Sequence, residues 1–287
     1  MKVFELIKTI LDDTYSKLPE PRDTTLAQRM EKLTNTYRDL TTNDPPDYAD
    51  PVTRFAYVYK YTTCHACIVA KKIQAVPELR QMFVVNRDTW TKVACVGGGP
   101  GSDYLGVVKH KMLHQPCGNL KCFLLDREQA WGDTWADVDE RAEGLGFRIS
   151  THFQALDIAD ENTWRHQTRY LEADLFTFIY FISEVYKRTF ETERYLNNIF
   201  SAAKPGALFL FIDNDKPFYC EPFDAVARKH LEYLCGGSER YVADASEQKT
   251  DLDPYFTTFS GYRHQPKLTA YIAWRVYRKP LGAPTAF

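Results

Sequence analysis

In the first part of the chain, up to about residue 86, apolar positions recur at spacings of three and four. Further on they gather into short runs that end on polar residues. The first pattern predicts helices and the second predicts buried strands. Phe4, Ile7, Leu11 and Leu18 mark one helix, ended by Pro19 and Pro21. Thr25-Leu26-Ala27-Gln28 has the form of a capping box, so a second helix is expected to begin at Thr25, with Leu26, Met30, Leu33, Tyr37 and Leu40 along one face. Asn43-Asp44-Pro45-Pro46 breaks the chain. Asp50 should then cap a helix that has Pro51 in its first turn, runs to about Gln74 and closes before Pro77.

The apolar runs follow in order: Val93–Val96, Lys121–Asp126, Phe147–Leu156, Asp174–Ile182 and Ala207–Asp213. Stretches with helical spacing separate them: Leu105, Val108 and Met112, then Trp131, Trp135 and Val138, then a helix from near Glu161. Ser183-Glu184 is expected to open a long helix bearing Tyr195, Leu196, Ile199 and Phe200, and Phe223 to Leu234 a further one beyond Pro222. Two late runs, Tyr241–Ala243 and Leu268–Tyr277, have no helix between them and predict an antiparallel pair. The fold class expected is therefore α/β: a doubly wound, mostly parallel seven-stranded sheet with an antiparallel C-terminal pair, preceded by an all-helical extension. The boundary falls between 1–86 and 87–287, and Gln248–Pro254 is the segment expected to be a mobile loop. Right-handed crossovers return each strand in the same direction, so the polar strand ends should share one sheet edge.

The chemistry centres on Val96-Gly97-Gly98-Gly99-Pro100-Gly101-Ser102-Asp103, where a buried strand meets a tight turn and a helix start. Glycines there allow a sharp turn and close approach of a ligand to the backbone, with Ser102 as the cap and Asp103 in the first helical turn. A phosphate-binding loop would need Lys-Ser/Thr after its last glycine, and this chain has Ser102-Asp103. A dinucleotide loop wants G-x-G-x-x-G, but counting from Gly97 the third glycine position is Ser102, and an acid in the first turn repels a pyrophosphate. Downstream, Asp126 ends the second strand and points into the same crevice as the glycines, where one carboxylate can accept both hydroxyls of a ribose.

The spacing Gly97-x-Gly99-x-Gly101, with the ordered polar strand ends after it, resembles the class I S-adenosylmethionine-dependent methyltransferases over about Thr91–Lys279. The resemblance implies S-adenosylmethionine as the cofactor. It carries cofactor contacts onto Gly97, Gly98, Gly99, Gly101, Asp103, Asp126, Arg127, Asp157 and Ile158, with Asp126 on the ribose and Asp157-Ile158 at the adenine. It places Tyr180, Ser183 and Glu184 on the acceptor side, and it makes the N-terminal helices a lid over the acceptor pocket. The family usually has an acid two residues before the first glycine. This chain has Cys95 there, and Asp103 is the residue able to stand in. If the nucleophile must lose a proton, Glu184, Asp213 and Tyr180 are the available bases.

Composition narrows this further. The chain has 287 residues, a hydrophobic content of 44% and a charged content of 26%, which describe an ordinary globular protein. No apolar run reaches the roughly 18 residues that cross a bilayer, and Met1-Lys2-Val3-Phe4 leads to Asp12-Asp13 rather than to a signal-peptide core. A cytoplasmic location is expected, with a nuclear one left open. The net charge of −2 offers no global attraction for a polyanion. Small-molecule or protein methylation is thus favoured over RNA methylation, for which Lys71-Lys72, Lys109–Lys111 and Lys187-Arg188 would have to form a local patch. A non-catalytic sensor or scaffold that binds S-adenosylmethionine is the third reading. The seven cysteines read as reduced thiols. Cys64-His65-Ala66-Cys67 falls in a helical pattern, so burial is expected there and no metal.

Overall fold

The computed structural model describes residues 3–114, 117–135, 145–243, 265–267 and 269–282. Val138 and the loop expected at Gln248–Pro254 lie outside them. The N-terminal part is helical: α1 (Val3–Ser16), α2 (Arg22–Arg38), α3 (Pro51–Tyr57), a π-helical turn (Val58–Thr62), α4 (Thr63–Ala75) and α5 (Pro77–Met82). Strands and helices then alternate: β1 (Trp90–Val96), α6 (Ser102–His114), β2 (Asn119–Asp126), α7 (Ala130–Trp135), β3 (Ile149–Ala155), α8 (Asn162–Arg165), β4 (Leu175–Ile179), α9 (Phe181–Glu184), α10 (Thr189–Ala202), β5 (Leu208–Asn214) and α11 (Pro217–His230). β6 (Glu232–Val242) and β7 (Thr269–Arg278) complete a seven-stranded sheet of order β3-β2-β1-β4-β5-β7-β6.

β1 to β5 are parallel, and β7 runs antiparallel to both β5 and β6. The expected fold class is what the chain adopts. Strand order reverses between β1 and β4, which opens a crevice beyond their carboxyl ends. Strand residues alternate between two cores. Val93, Cys95, Leu175 and Ile179 face the N-terminal helices, while Ala94, Val96, Phe176 and Phe178 face α10 and α11. Helix α4 lies close on α6: a β-carbon at Gly106 would come within 2.5 Å of Val69 Cβ and 2.7 Å of the Ala66 carbonyl. The N-terminal helices therefore form one covering layer of the sheet, with α4 packed directly on α6.

Several element boundaries differ from expectation. Helix α2 starts at Arg22, so Thr25 sits inside it and donates its hydroxyl to the Pro21 carbonyl at 2.8 Å instead of capping. Asp50 does cap α3, accepting from Val52 N at 3.2 Å. β4 stops at Ile179 because Tyr180 turns into the left-handed region (φ 57°), and the long helix expected from Ser183 is split into α9 and α10. Helix α11 begins at Pro217 and takes Pro222 into its interior. β6 is far longer than Tyr241–Ala243. It contains Gly236, where a β-carbon would lie 2.6 Å from the Trp274 carbonyl.

Candidate functional site

The turn after β1 is built by local sequence and by two tryptophans. Gly97 and Gly101 have φ of +68° and +73°, which favours glycine. A β-carbon at Gly101 would lie 2.3 Å from Trp135, and one at Gly99 would lie 2.2 Å from Trp131. The Trp135 indole N–H donates to the Gly99 carbonyl at 2.5 Å. Gly99 and Gly101 thus leave room for α7, which covers the turn, and Gly99 also for the Asp126 carboxylate, 2.5 Å from its would-be β-carbon. Gly97 is the glycine that lines the cleft in front of it.

That cleft encloses about 950 Å³ including its open mouth, and its walls are the ends of β1, β2, β3 and β4 with Pro45, Pro46, Tyr48 and Tyr57 from the N-terminal part. Asp126 ends β2 there. Its Oδ2 accepts from Gly99 N at 3.0 Å and its Oδ1 from Glu128 N at 2.9 Å, so the side chain is fixed with lone pairs to spare. Burial pushes its carboxyl up to about 6, against those two hydrogen bonds. Asp103, 2% exposed, also lines the cleft. Its Oδ2 accepts from Thr177 Oγ1 at 2.6 Å, and β4 pairing places Thr177 directly beside Cys95. Burial raises Asp103 to about 6, and the Thr177 bond works in the opposite direction. Ser102 does not cap α6. Its hydroxyl is buried, lines the cleft and has no hydrogen-bond partner among the described residues.

The opposite wall joins distant segments. Glu184 Oε1 accepts from the hydroxyls of Tyr37 on α2 and Tyr48 in the following loop. Burial raises Glu184 to about 7, with the charges of Asp126 and Asp213 adding to it and the tyrosine hydrogen bonds opposing. Lys187 ties the same loop, donating to the Thr42 carbonyl at 2.8 Å and to Asp44 at 3.0 Å. Tyr180 lines the cleft, with His65 stacked on its ring at 4.0 Å and Lys267 Nζ 3.4 Å from its hydroxyl. Of the described residues, Tyr180 alone is a non-glycine with positive φ, a conformation that costs an L-residue about 1 kcal/mol.

The cleft thus gathers Gly97, Asp103, Asp126, Arg127, Asp157, Ile158, Tyr180 and Glu184. Gly98, Gly99 and Gly101 stand behind its lining, and so do Ser183 and Asp213, both fully buried. Asp213 accepts from Ser183 N at 2.9 Å and Asn214 N at 2.7 Å, and Ser183 Oγ donates to the Tyr180 carbonyl at 3.1 Å. These two lie behind the lining and clamp the β4 turn that presents Tyr180 and Glu184. Tyr37 and Tyr48 were legible as helix-face and N-terminal aromatics, but nothing in the sequence joins them to Glu184. Cys64 is buried in α4 as expected, and Cys67 is half-buried with Lys109 Nζ 3.0 Å from its sulfur. Among the described residues no group of metal-ligating side chains is assembled, and no helix is long and apolar enough to cross a membrane.

The residues present fit S-adenosylmethionine. Asp126 offers paired acceptors for ribose hydroxyls, the Asp103 carboxylate suits an ammonium, and the Ser102 hydroxyl at the start of α6, without a partner among the described residues, suits a carboxylate.

No protein-family model and no curated protein matches the chain. Among solved structures it is similar to an S-adenosylmethionine-dependent methyltransferase of Methanosarcina mazei, at 10% identity and TM-score 0.46 over 72% of this chain and 98% of that one. A candidate class I methyltransferase of Listeria monocytogenes gives 10% and 0.46 over 99% and 90%, and a methyltransferase of Pyrococcus furiosus 9% and 0.40 over 77% and 97%. No residue assignment follows from similarity at this level.

Proposed function

We propose that the chain binds S-adenosylmethionine in this cleft and transfers its methyl group to a small-molecule or protein acceptor. One observation carries the reading: the glycine turn faces an excess of carboxylates. Asp103, Asp126, Glu128, Asp157 and Glu184 line the cleft against Arg127 and Arg188, and Arg188 lies 3.9 Å from Asp157. Such a field repels a pyrophosphate and attracts a ligand whose net charge is positive. When bound, S-adenosylmethionine supplies a methyl group on an already activated sulfonium. The protein's part is to align an acceptor and exclude water. Asp126 would hold the ribose, Asp157 and Ile158 the adenine, and Asp103 with Ser102 the amino-acid end. Segment 39–50, tied down through Tyr48 and Lys187, would serve as the lid.

The basic pairs do not support an RNA track. Lys72 is buried against Glu239 at 2.8 Å, Lys111 is buried on the Cys117 carbonyl at 2.7 Å, and Lys187 is engaged with Asp44. Calorimetry with S-adenosylmethionine, S-adenosylhomocysteine and NAD tests the reading. The first two should bind and NAD should not. Saturable NAD binding without the others sinks it. Binding with no transfer of labelled methyl to metabolite, protein or RNA fractions would leave a sensor or scaffold.

A further inference from the structure

Glu184 and its surroundings specify more than a methyl donor. The hydroxyls of Tyr37 and Tyr48 converge on Oε1, whereas Oε2 has no donor among the described residues, and Glu184 lines the cleft. Tyr57 lines it as well. Its ring lies edge-on to Tyr48 at 5.5 Å, and its hydroxyl makes no hydrogen bond among the described residues. Tyr180 closes the same side, its ring already carrying His65 stacked at 4.0 Å and Lys267 Nζ at 4.6 Å. The acceptor wall is therefore a carboxylate oxygen with no donor among the described residues, set beside Tyr48 and Tyr57, while Arg188 lies 3.9 Å from Asp157.

Charge decides which nucleophile this wall suits. An oxygen nucleophile reacts as an anion, and it would have to approach beside Glu184, Asp126 and Asp103. A nitrogen nucleophile takes up the positive charge that sulfur loses, and both carboxylates and ring faces stabilise that charge.

We propose that the methyl acceptor is an amine, held by an N–H donated to Glu184 Oε2 and flanked by Tyr48 and Tyr57. The proposal rests on the reading of the cleft as a methyl-donor site. The amine lone pair forms the new N–C bond as the C–S bond breaks, its electron pair leaving on sulfur as a neutral thioether. The methylated nitrogen, now an ammonium, gives a proton to Glu184 Oε2, which passes it to solvent. Glu184 is suited to both halves of that exchange. Burial holds it at about 7, with Tyr37 on α2, Tyr48 and Tyr57 before and on α3, Asp126 on β2 and Asp213 on β5 as the titratable groups that face it.

The test uses the full chain saturated with S-adenosylhomocysteine and titrated with benzylamine, 4-methylphenol and benzoate, which differ in the atom offered. Benzylamine should bind at least tenfold more tightly than the other two. In Glu184→Gln that preference should vanish while affinity for S-adenosylhomocysteine stays within about threefold, showing that the variant is folded. With labelled S-adenosylmethionine and a cell extract, mass spectrometry should find the new methyl on nitrogen. No preference for the amine, a preference that survives Glu184→Gln, or a methyl on oxygen or sulfur overturns the acceptor assignment alone. Failure of S-adenosylhomocysteine to bind overturns the cleft reading beneath it.

Discussion

Asp103 and Cys95 meet at one strand position through Thr177. Cys95 occupies the strand position where an acid was looked for, and it is fully buried. On the proposed reading the acid's place is taken by Asp103 on α6, which is held at the cleft by Thr177 from the neighbouring strand. The Thr177 hydroxyl favours the charged form of a carboxyl that burial otherwise raises. Thr177→Val should therefore weaken S-adenosylhomocysteine binding at pH 7 by about tenfold or less, the 0.5–1.5 kcal/mol of one hydrogen bond, and Thr177→Ser should restore it. Because the loss works through ionisation of Asp103, it should shrink when the titration is repeated at pH 8.5. Asp126→Ala removes the carboxylate proposed to accept the ribose hydroxyls. It should cost at least tenfold in affinity, about 1.4 kcal/mol, at every pH, and unchanged binding in calorimetry would remove Asp126 from the site.

At the scale of elements, the turn and α7 form a unit whose glycines answer to packing. Gly101→Ala has to relieve both a positive φ and a contact with Trp135 at 2.3 Å, while Gly146, at φ +85°, has nothing within 4 Å of its would-be β-carbon. Thermal unfolding should show Gly101→Ala losing about 2 kcal/mol or more, and Gly146→Ala only about 1. Equal losses would mean that the tryptophan does not dictate the glycine. This contrast also marks what the sequence could convey. The glycine spacing and the strand ends at Asp126 and Asp157 were legible because periodicity and turn residues are local. Trp131 and Trp135 read only as helix-face residues, since their packing on the turn depends on how α7 docks. β6 was mostly unread because Gly236 and Gly237 erase the alternation that marks a strand, and its pairing with β7 supplies the order instead. The contact between Tyr37 and Glu184 spans 147 residues, and no pattern within either segment encodes it.

For the molecule as a whole, the cleft concentrates carboxyls that burial makes reluctant to ionise: Asp103 and Asp126 near 6, and Glu184 near 7. A carboxyl whose folded pKa lies above its unfolded value stabilises the fold below the unfolded pKa, and that contribution is lost as pH rises through the folded value. Buried His65 and His110 oppose this at lower pH, because burial holds both below the ordinary histidine range and their contribution is lost as pH falls through it. Lys60 and Lys111, held down to about 8, come into play only above that. Asp103 and Asp126 lose most of this contribution below about pH 6.5, so from there to about pH 8 the remaining loss of stability in the ligand-free protein as pH rises should come chiefly from Glu184. A ligand bearing a sulfonium and an ammonium reverses the balance, since it favours the ionised carboxylates and lowers their pKa values. Binding at pH 6.5 must then release protons, and affinity must climb with pH by up to tenfold per unit for each proton released. Calorimetry of S-adenosylmethionine in phosphate and Tris, whose ionisation enthalpies differ, reads the proton count directly. Release at pH 6.5 that fades by pH 8.5, together with affinity at least tenfold higher at pH 8 than at pH 5.5, is the outcome the cleft requires. Proton uptake, or a flat pH dependence, would show that these carboxylates do not meet the cationic end of the ligand.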